Sequence, residues 1–166
     1  MKEIIIDIES LTLNPVEDEA QVVAISVKCG EFEEVLMGAN EKALLTKFWG
    51  LPFFEGHFRV IGFCIAEFDL YYLLVRSFKH GVRVPDLKGR ILDLRLVLNF
   101  GNKFKKGKLE DFAKLILGEK GMKNGNGADV KSLWMAGEID KLRTYCERDL
   151  YLTFKIFERL KQMGVV

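Results

Sequence analysis

Apolar residues recur along this chain with two periods, and each change of period marks a new element. Residues 2–9 read Lys-Glu-Ile-Ile-Ile-Asp-Ile-Glu. Isoleucine on both alternating faces predicts a strand covered from both sides, hence a central one. Residues 10–19 are mostly polar and contain Asn14-Pro15, the signature of a turn or loop. Strand patterning returns over residues 20–28 and 31–37, with Gly30 between them as a hairpin turn. Asn40 is placed to cap a helix bearing Leu44, Leu45, Phe48 and Trp49 at helical spacing. A further strand is expected over 58–65, then a helix from Phe68 to Lys79 that His80-Gly81 ends. Residues 90–97 read as a strand or a strand-to-helix transition. Lys108 to Leu117 reads as a helix stopped by Gly118. Four glycines and two asparagines over 118–128 read as a mobile loop. From Glu138 to Met163 the period is again helical, with Leu142, Tyr145, Cys146, Asp149, Leu152, Ile156 and Leu160 along related faces.

Three strands come first, and strands then alternate with helices. No repeat or composition break divides the chain, so one α/β domain over residues 1–166 is expected. Its sheet should be mixed, an antiparallel meander continued by parallel strands. Composition agrees: 49% of residues are hydrophobic and 30% charged, enough apolar surface for a core and too much for disorder. The net charge of +1 excludes a polybasic nucleic-acid coat protein but not a local basic patch. Cys29, Cys64 and Cys146 are far apart, which argues against a disulfide scaffold or a structural zinc site. The residues after Met1 do not resemble a signal peptide, and no run of about 18 apolar residues offers a membrane span. A cytoplasmic protein with no membrane partner is the expectation.

Acids inside an apolar strand are the informative anomaly. Asp7 and Glu9 are two apart and share a face, about 6–7 Å between Cα atoms. Two carboxylates emerging side by side from a core are costly, because desolvation and mutual repulsion both disfavour ionisation. A hard divalent cation, Mg²⁺ or Mn²⁺, removes that cost. The plainer alternative is a strand that ends at Asp7 with both acids solvated. Asp69 follows the strand at 58–65 and opens a helix, where an acid also satisfies free N–H groups. Tyr145 and Asp149 are four apart and share a face of the last helix, turned inward by Leu142, Leu152 and Ile156. A packed tyrosine with an Asp held by Arg143 or Arg148 is the ordinary alternative there.

Taken in order, these residues resemble the DEDD superfamily of 3′–5′ exonucleases, in the subgroup with tyrosine in its third motif. The first motif is Asp7-Ile8-Glu9-Ser10, where the family usually has Thr in the last place. Gly62-Phe63-Cys64-Ile65-Ala66-Glu67-Phe68-Asp69-Leu70 is similar to the second, and Tyr145-Cys146-Glu147-Arg148-Asp149 to the third. Cys64 stands where the family usually has Asn, and Glu67 where many relatives have Asn or Gly. The resemblance spans residues 4–157 and looks nearest to stand-alone relatives of the proofreading domain of family B DNA polymerases.

That resemblance implies a ribonuclease H-like exonuclease fold with helices on both sheet faces, and two-metal hydrolysis of phosphodiesters with Mg²⁺ or Mn²⁺. Asp7, Glu9 and Asp149 would hold one ion, Asp7 would bridge to a second, and Asp69 would support that second ion. Tyr145 would orient the attacking water. The implied substrates are 3′ ends of single-stranded DNA or RNA, the implied products nucleoside 5′-monophosphates. A polymerase or repair partner would be needed for proofreading. Ser10 and Phe68 are placed to touch the terminal nucleotide. Lys103, Lys105 and Lys106, with Lys108, are candidates for backbone phosphates, or form a merely solvated basic turn. Phe48, Trp49, Phe53, Phe54 and Phe58 have rings for base stacking, but their periodicity reads as core. A catalytically silent nuclease fold, serving as a binding module of a replication or repair complex, is the rival expectation.

Overall fold

A computed structural model describes residues 1–118 and 129–166. Among these residues, five strands form one sheet: β1 (Lys2–Ser10), β2 (Val22–Cys29), β3 (Phe32–Met37), β4 (Phe58–Gly62) and β5 (Ile91–Asp93). Their order is β3-β2-β1-β4-β5. β1 pairs antiparallel with β2, and β2 with β3, whereas β1–β4 and β4–β5 are parallel. The antiparallel meander followed by parallel strands is therefore present, with β1 at the centre. Among the described residues, six α-helices surround it: α1 (Glu41–Trp49), α2 (Asp69–His80), α3 (Leu94–Leu98), α4 (Leu109–Leu117), α5 (Val130–Met135) and α6 (Ile139–Gln162).

Helices cover both faces of β1. Ile4, Ile6 and Ile8 pack with Leu44, Leu45 and Phe48 of α1 and with Leu70 and Leu73 of α2. Ile5 points the other way, into a cluster with Ile61, Leu94, Ala113 of α4, and Leu150 and Ile156 of α6. By the two-residue period of a strand, Asp7 and Glu9 share the face of Ile5 and so look toward α6. A third cluster continues that layer, joining Val23 and Ala24 of β2 to Val130 of α5 and to Leu142, Tyr145 and Cys146 of α6.

Local chemistry explains most boundaries. Asn40 caps α1 by accepting from the Ala43 N–H at 3.0 Å. Gly81 ends α2 in the left-handed conformation, φ 64°. The strand expected over 58–65 stops at Gly62, because the chain then turns through Cys64, itself left-handed at φ 62°. Residues 90–97 resolve into both alternatives: three residues of β5, then α3. A 3₁₀ turn over Pro52–Phe54 and the six-residue α5 are additions to the elements expected from sequence. From residue 119 to 128, the stretch read as a mobile loop lies outside the described residues. Among the described residues, no helix is long and apolar enough to cross a membrane.

Candidate active site

Three carboxylates meet between β1 and α6. Oxygen atoms of Asp7, Glu9 and Asp149 all lie within 4.8 Å of one another. Asp149 is buried, whereas Asp7 and Glu9 are half-buried at the carboxyl end of β1. A leucine on this covered face would gain roughly 1.5–3 kcal/mol from burial, and the sequence forgoes that gain at adjacent positions. Each pair of ionised carboxylates at that separation repels by about 3.5 kcal/mol at an effective dielectric near 20. Clustered hard oxygen donors of this kind fit a divalent cation. β1, β4 and β5 run parallel, so the chain leaves their carboxyl ends on this same side of the sheet, where open α/β sheets place ligands.

Asp69 lies outside that cluster but is tied to the strand that carries it. β1 pairs with β4 only from Lys2 to Ile5, and beyond that it is paired only on its β2 side. Asp69 Oδ1 accepts from the Ile8 N–H at 3.1 Å, satisfying a backbone donor between Asp7 and Glu9. Asp69 also accepts from its own backbone N–H at the start of α2, the ordinary role of an acid there, while the Phe68 N-cap has no side-chain bond to offer. Burial pushes the Asp69 carboxyl up to about 7; the Ile8 N–H opposes that rise and the nearby Asp93 charge adds to it.

Asp93 is the residue that sequence reasoning missed. Its Oδ1 accepts from the N–H groups of Cys64 (3.2 Å), Arg95 (3.0 Å) and Leu96 (3.2 Å), and its Oδ2 from Ala66 at 3.1 Å. One side chain thus caps α3 and pins the loop that delivers Asp69. An Asp at the N-cap of a short helix was the only signal available in the sequence. Gly62 is the other anchor of this loop. A Cβ there would lie 2.8 and 2.9 Å from Ile65 side-chain atoms and 3.0 Å from the Ile6 carbonyl oxygen. Left-handed Cys64 makes sense of the asparagine usual in the resembled motif, since asparagine adopts that conformation readily. Burial pushes the Cys64 thiol up to about 11. Glu67 pairs with Arg95, away from the carboxylate cluster.

On α6, Tyr145 hydrogen-bonds Asp149 one turn later. Burial, then the charges of Glu9 and Asp149, hold the phenol well above its ordinary pKa, so it stays a protonated donor. Cys146 is fully buried, and burial with the charges of Glu9 and Asp7 raises its thiol too. Arg143 donates to the Val35 carbonyl at 3.0 Å, and Arg148 lies over the Tyr151 ring.

The residues considered for substrate contact divide. Ser10 Oγ donates to the Thr12 carbonyl at 2.7 Å, within the turn after β1. Phe68 is half-buried against the core, its ring 5.8 Å from that of Tyr72. Lys103, Lys105 and Lys106 are exposed on the turn joining α3 to α4. Phe48, Trp49, Phe54 and Phe58 are buried core side chains, and Phe53 packs on Phe32 at 4.9 Å. A second buried polar centre was invisible in the sequence. Arg76 donates to both oxygens of Glu41, which also accepts from the Val22 N–H at 2.7 Å and from His80 at 2.6 Å.

Comparison with known proteins supplies the lineage. The chain is 35% identical to an uncharacterized protein of Methanocaldococcus jannaschii over 178 residues, covering 100% of this chain and 99% of that protein. The two belong to one family. Residues 87–165 of this member also match a family described as a predicted 3′-5′ exonuclease related to the exonuclease domain of PolB. That segment holds Asp93, Tyr145 and Asp149, whereas Asp7, Glu9 and Asp69 precede it. Among solved structures, the family B DNA polymerase of the hyperthermophilic archaeon Pyrobaculum calidifontis matches 99% of this chain, with a TM-score of 0.75 at 20% identity. The chain spans 25% of that polymerase's length. The fold of this family member is accordingly ribonuclease H-like.

Proposed function

We propose that this protein is a metal-dependent 3′–5′ exonuclease of single-stranded nucleic acid, of the subgroup with tyrosine in its third motif, releasing nucleoside 5′-monophosphates. The observation that carries the reading is the approach of Asp7, Glu9 and Asp149 within 4.8 Å on a covered face of the sheet. These three would hold a first Mg²⁺ or Mn²⁺, and Asp7 with Asp69 would hold a second, as the resemblance implies. When bound, the pair would supply charge neutralisation of the scissile phosphate and an activated water at neutral pH. The chain's own groups do the rest. Asp69, fixed by the Ile8 N–H, keeps its carboxyl beside β1. Tyr145, kept protonated by burial and surrounding charge, donates and orients rather than abstracting a proton. Asp93 and Gly62 hold the Asp69 loop in place.

The test uses 5′-end-labelled single-stranded DNA and RNA of one sequence with Mg²⁺, Mn²⁺ or chelator. Wild type should produce a ladder shortening from the 3′ end only with metal, and folded Asp7→Ala should produce none. No cleavage of either strand by folded wild type would sink the catalytic reading and favour a silent binding module. Cleavage of a circular strand would instead indicate an endonuclease.

A further inference from the structure

Two large rings stand in water on the turn between α3 and α4. Phe100 is 98% exposed and Phe104 is 83% exposed. Phe100 does so at φ 51°, a left-handed conformation that bulky side chains seldom adopt. Lys103, Lys105, Lys106 and Lys108 lie in the same turn, Lys103 Nζ 5.6 Å from the Phe104 ring centroid, and no acid occurs from Asn99 to Lys108. This is a concentrated positive patch on a chain whose net charge is only +1. Water-exposed phenylalanine gains nothing from folding, so core packing does not account for either ring.

The turn is built rather than loose. Buried Asn99 donates from its side chain to the Lys105 carbonyl at 3.2 Å, and Asn102 Oδ1 accepts from the Phe104 N–H at 3.0 Å. Gly101 donates to the Leu96 carbonyl at 2.7 Å, tying the turn back to α3. At its far end, Gly107 lies against Phe112, where a Cβ would come 2.4 Å from the ring. Phe112 in turn meets Phe63, 5.8 Å between ring centroids, in the loop that delivers Asp69. A packed path therefore links the turn to the loop that delivers Asp69.

We propose that the Asn99–Lys108 turn is a docking track for single-stranded nucleic acid, with Phe100 and Phe104 stacking on bases and the lysines meeting phosphates. Alternating cations and exposed rings match a flexible polyanion whose bases are unpaired and open to stacking. This rests on the exonuclease reading only for its direction: a strand held here feeds its 3′ end toward Asp7, Glu9 and Asp149.

The experiment measures fluorescence anisotropy of a labelled oligothymidylate of about 20 nucleotides, in chelator so that nothing is cleaved. It compares wild type, Phe100→Asn with Phe104→Ser, and Lys103→Gln with Lys105→Gln and Lys106→Gln. Asparagine is chosen because it tolerates the left-handed conformation. Thermal unfolding confirms that each variant is folded. The ring variant should lose at least about fivefold in affinity for each ring that stacks, with the salt slope retained. The lysine variant should flatten the slope of log affinity against log salt by about 2, as expected for three lost single-strand phosphate contacts. Wild-type affinity in both variants would overturn the track. So would binding of wild type to phosphatidylserine vesicles but not to the strand, which would make the patch a membrane contact. The two readings fail separately. Weakened strand binding in both variants, with no cleavage by wild type in metal, leaves the track standing and removes the exonuclease. Metal-dependent cleavage with unchanged strand binding does the reverse.

Discussion

Replacing Asp93 by alanine should damage this protein in two separable ways. The side chain accepts four backbone N–H bonds, two from the helix start at Arg95 and Leu96 and two from the loop at Cys64 and Ala66. Loss of a helix cap costs about 1 kcal/mol. A hydrogen bond to a charged acceptor is worth about 1.5–3 kcal/mol, and the lower end applies here because all four are only partly buried. Together these give a loss of about 4 kcal/mol. In a chain of this size that lowers the midpoint of thermal unfolding by roughly 8–16 °C. Asp93→Asn keeps the Oδ1 acceptor for three of the four donors and should cost only about 1–1.5 kcal/mol. Urea titration followed by circular dichroism measures both. The second effect falls on the loop bearing Asp69: hydrolysis by Asp93→Ala should drop well below that of Asp93→Asn at a temperature where both are folded. An alanine variant that melts within about 2 °C of wild type, less than 1 kcal/mol at this size, would refute the anchoring role. So would an asparagine variant as unstable as the alanine one.

Other outcomes follow from neighbouring geometry. Gly62→Ala forces a Cβ against Ile65 and the Ile6 carbonyl and should cost about 1–3 kcal/mol, read in the same titration; a neutral result would mean that this close approach relaxes freely. Tyr145→Phe should slow turnover while leaving Mn²⁺ affinity by calorimetry nearly unchanged, because Tyr145 bonds Asp149 and is not itself a carboxylate ligand. Lost metal binding would show that the phenol organises the ligands. Saturating Mn²⁺, at about 100 times its dissociation constant, should stabilise wild type by about 2.7 kcal/mol, and Asp7→Ala by much less. Burial alone would raise the Glu41 pKa, but hydrogen bonds from Arg76, the Val22 N–H and His80 outweigh it and lower the value from 4.5. Its stabilisation is therefore complete above pH 4.5 and fades as pH falls through the lowered folded value. Glu41→Gln should flatten that acid limb and cost about 3–5 kcal/mol at neutral pH by leaving Arg76 buried without its counter-charge; an unchanged acid limb would contradict the linkage.

The legible parts of this molecule were those where a side chain contradicts its surroundings or repeats with a period. Asp7 and Glu9 stood out because isoleucines flank them, and Asp149 because leucines put its helix face inward. Asn40, Gly81 and the aromatic run from Phe48 to Phe58 also read correctly, since caps and periodicity are local. What stayed hidden were partners chosen by the fold. Asp93 binds backbone amides, which every residue type offers, so nothing in the sequence marks its targets. Arg76 and Glu41 are 35 positions apart on different helices, beyond any local period. The six residues of α5 are too few to establish a helical repeat, and their N-cap makes no side-chain bond. Ser10 shows the converse: its hydroxyl turns to Thr12, a choice set by the irregular pairing after Glu9.

The distribution of the three clustered acids along the chain also bears on synthesis. Asp7 and Glu9 are translated with β1, and Asp149 only with α6, after all five strands of the sheet. A nascent or prematurely terminated chain that lacks α6 carries two of the three acids on an uncovered sheet face. In such a chain the carboxylate cluster is unfinished, because Asp149 is missing. The three-acid cluster thus depends on the last helix described, α6, to bring Asp149 beside Asp7 and Glu9.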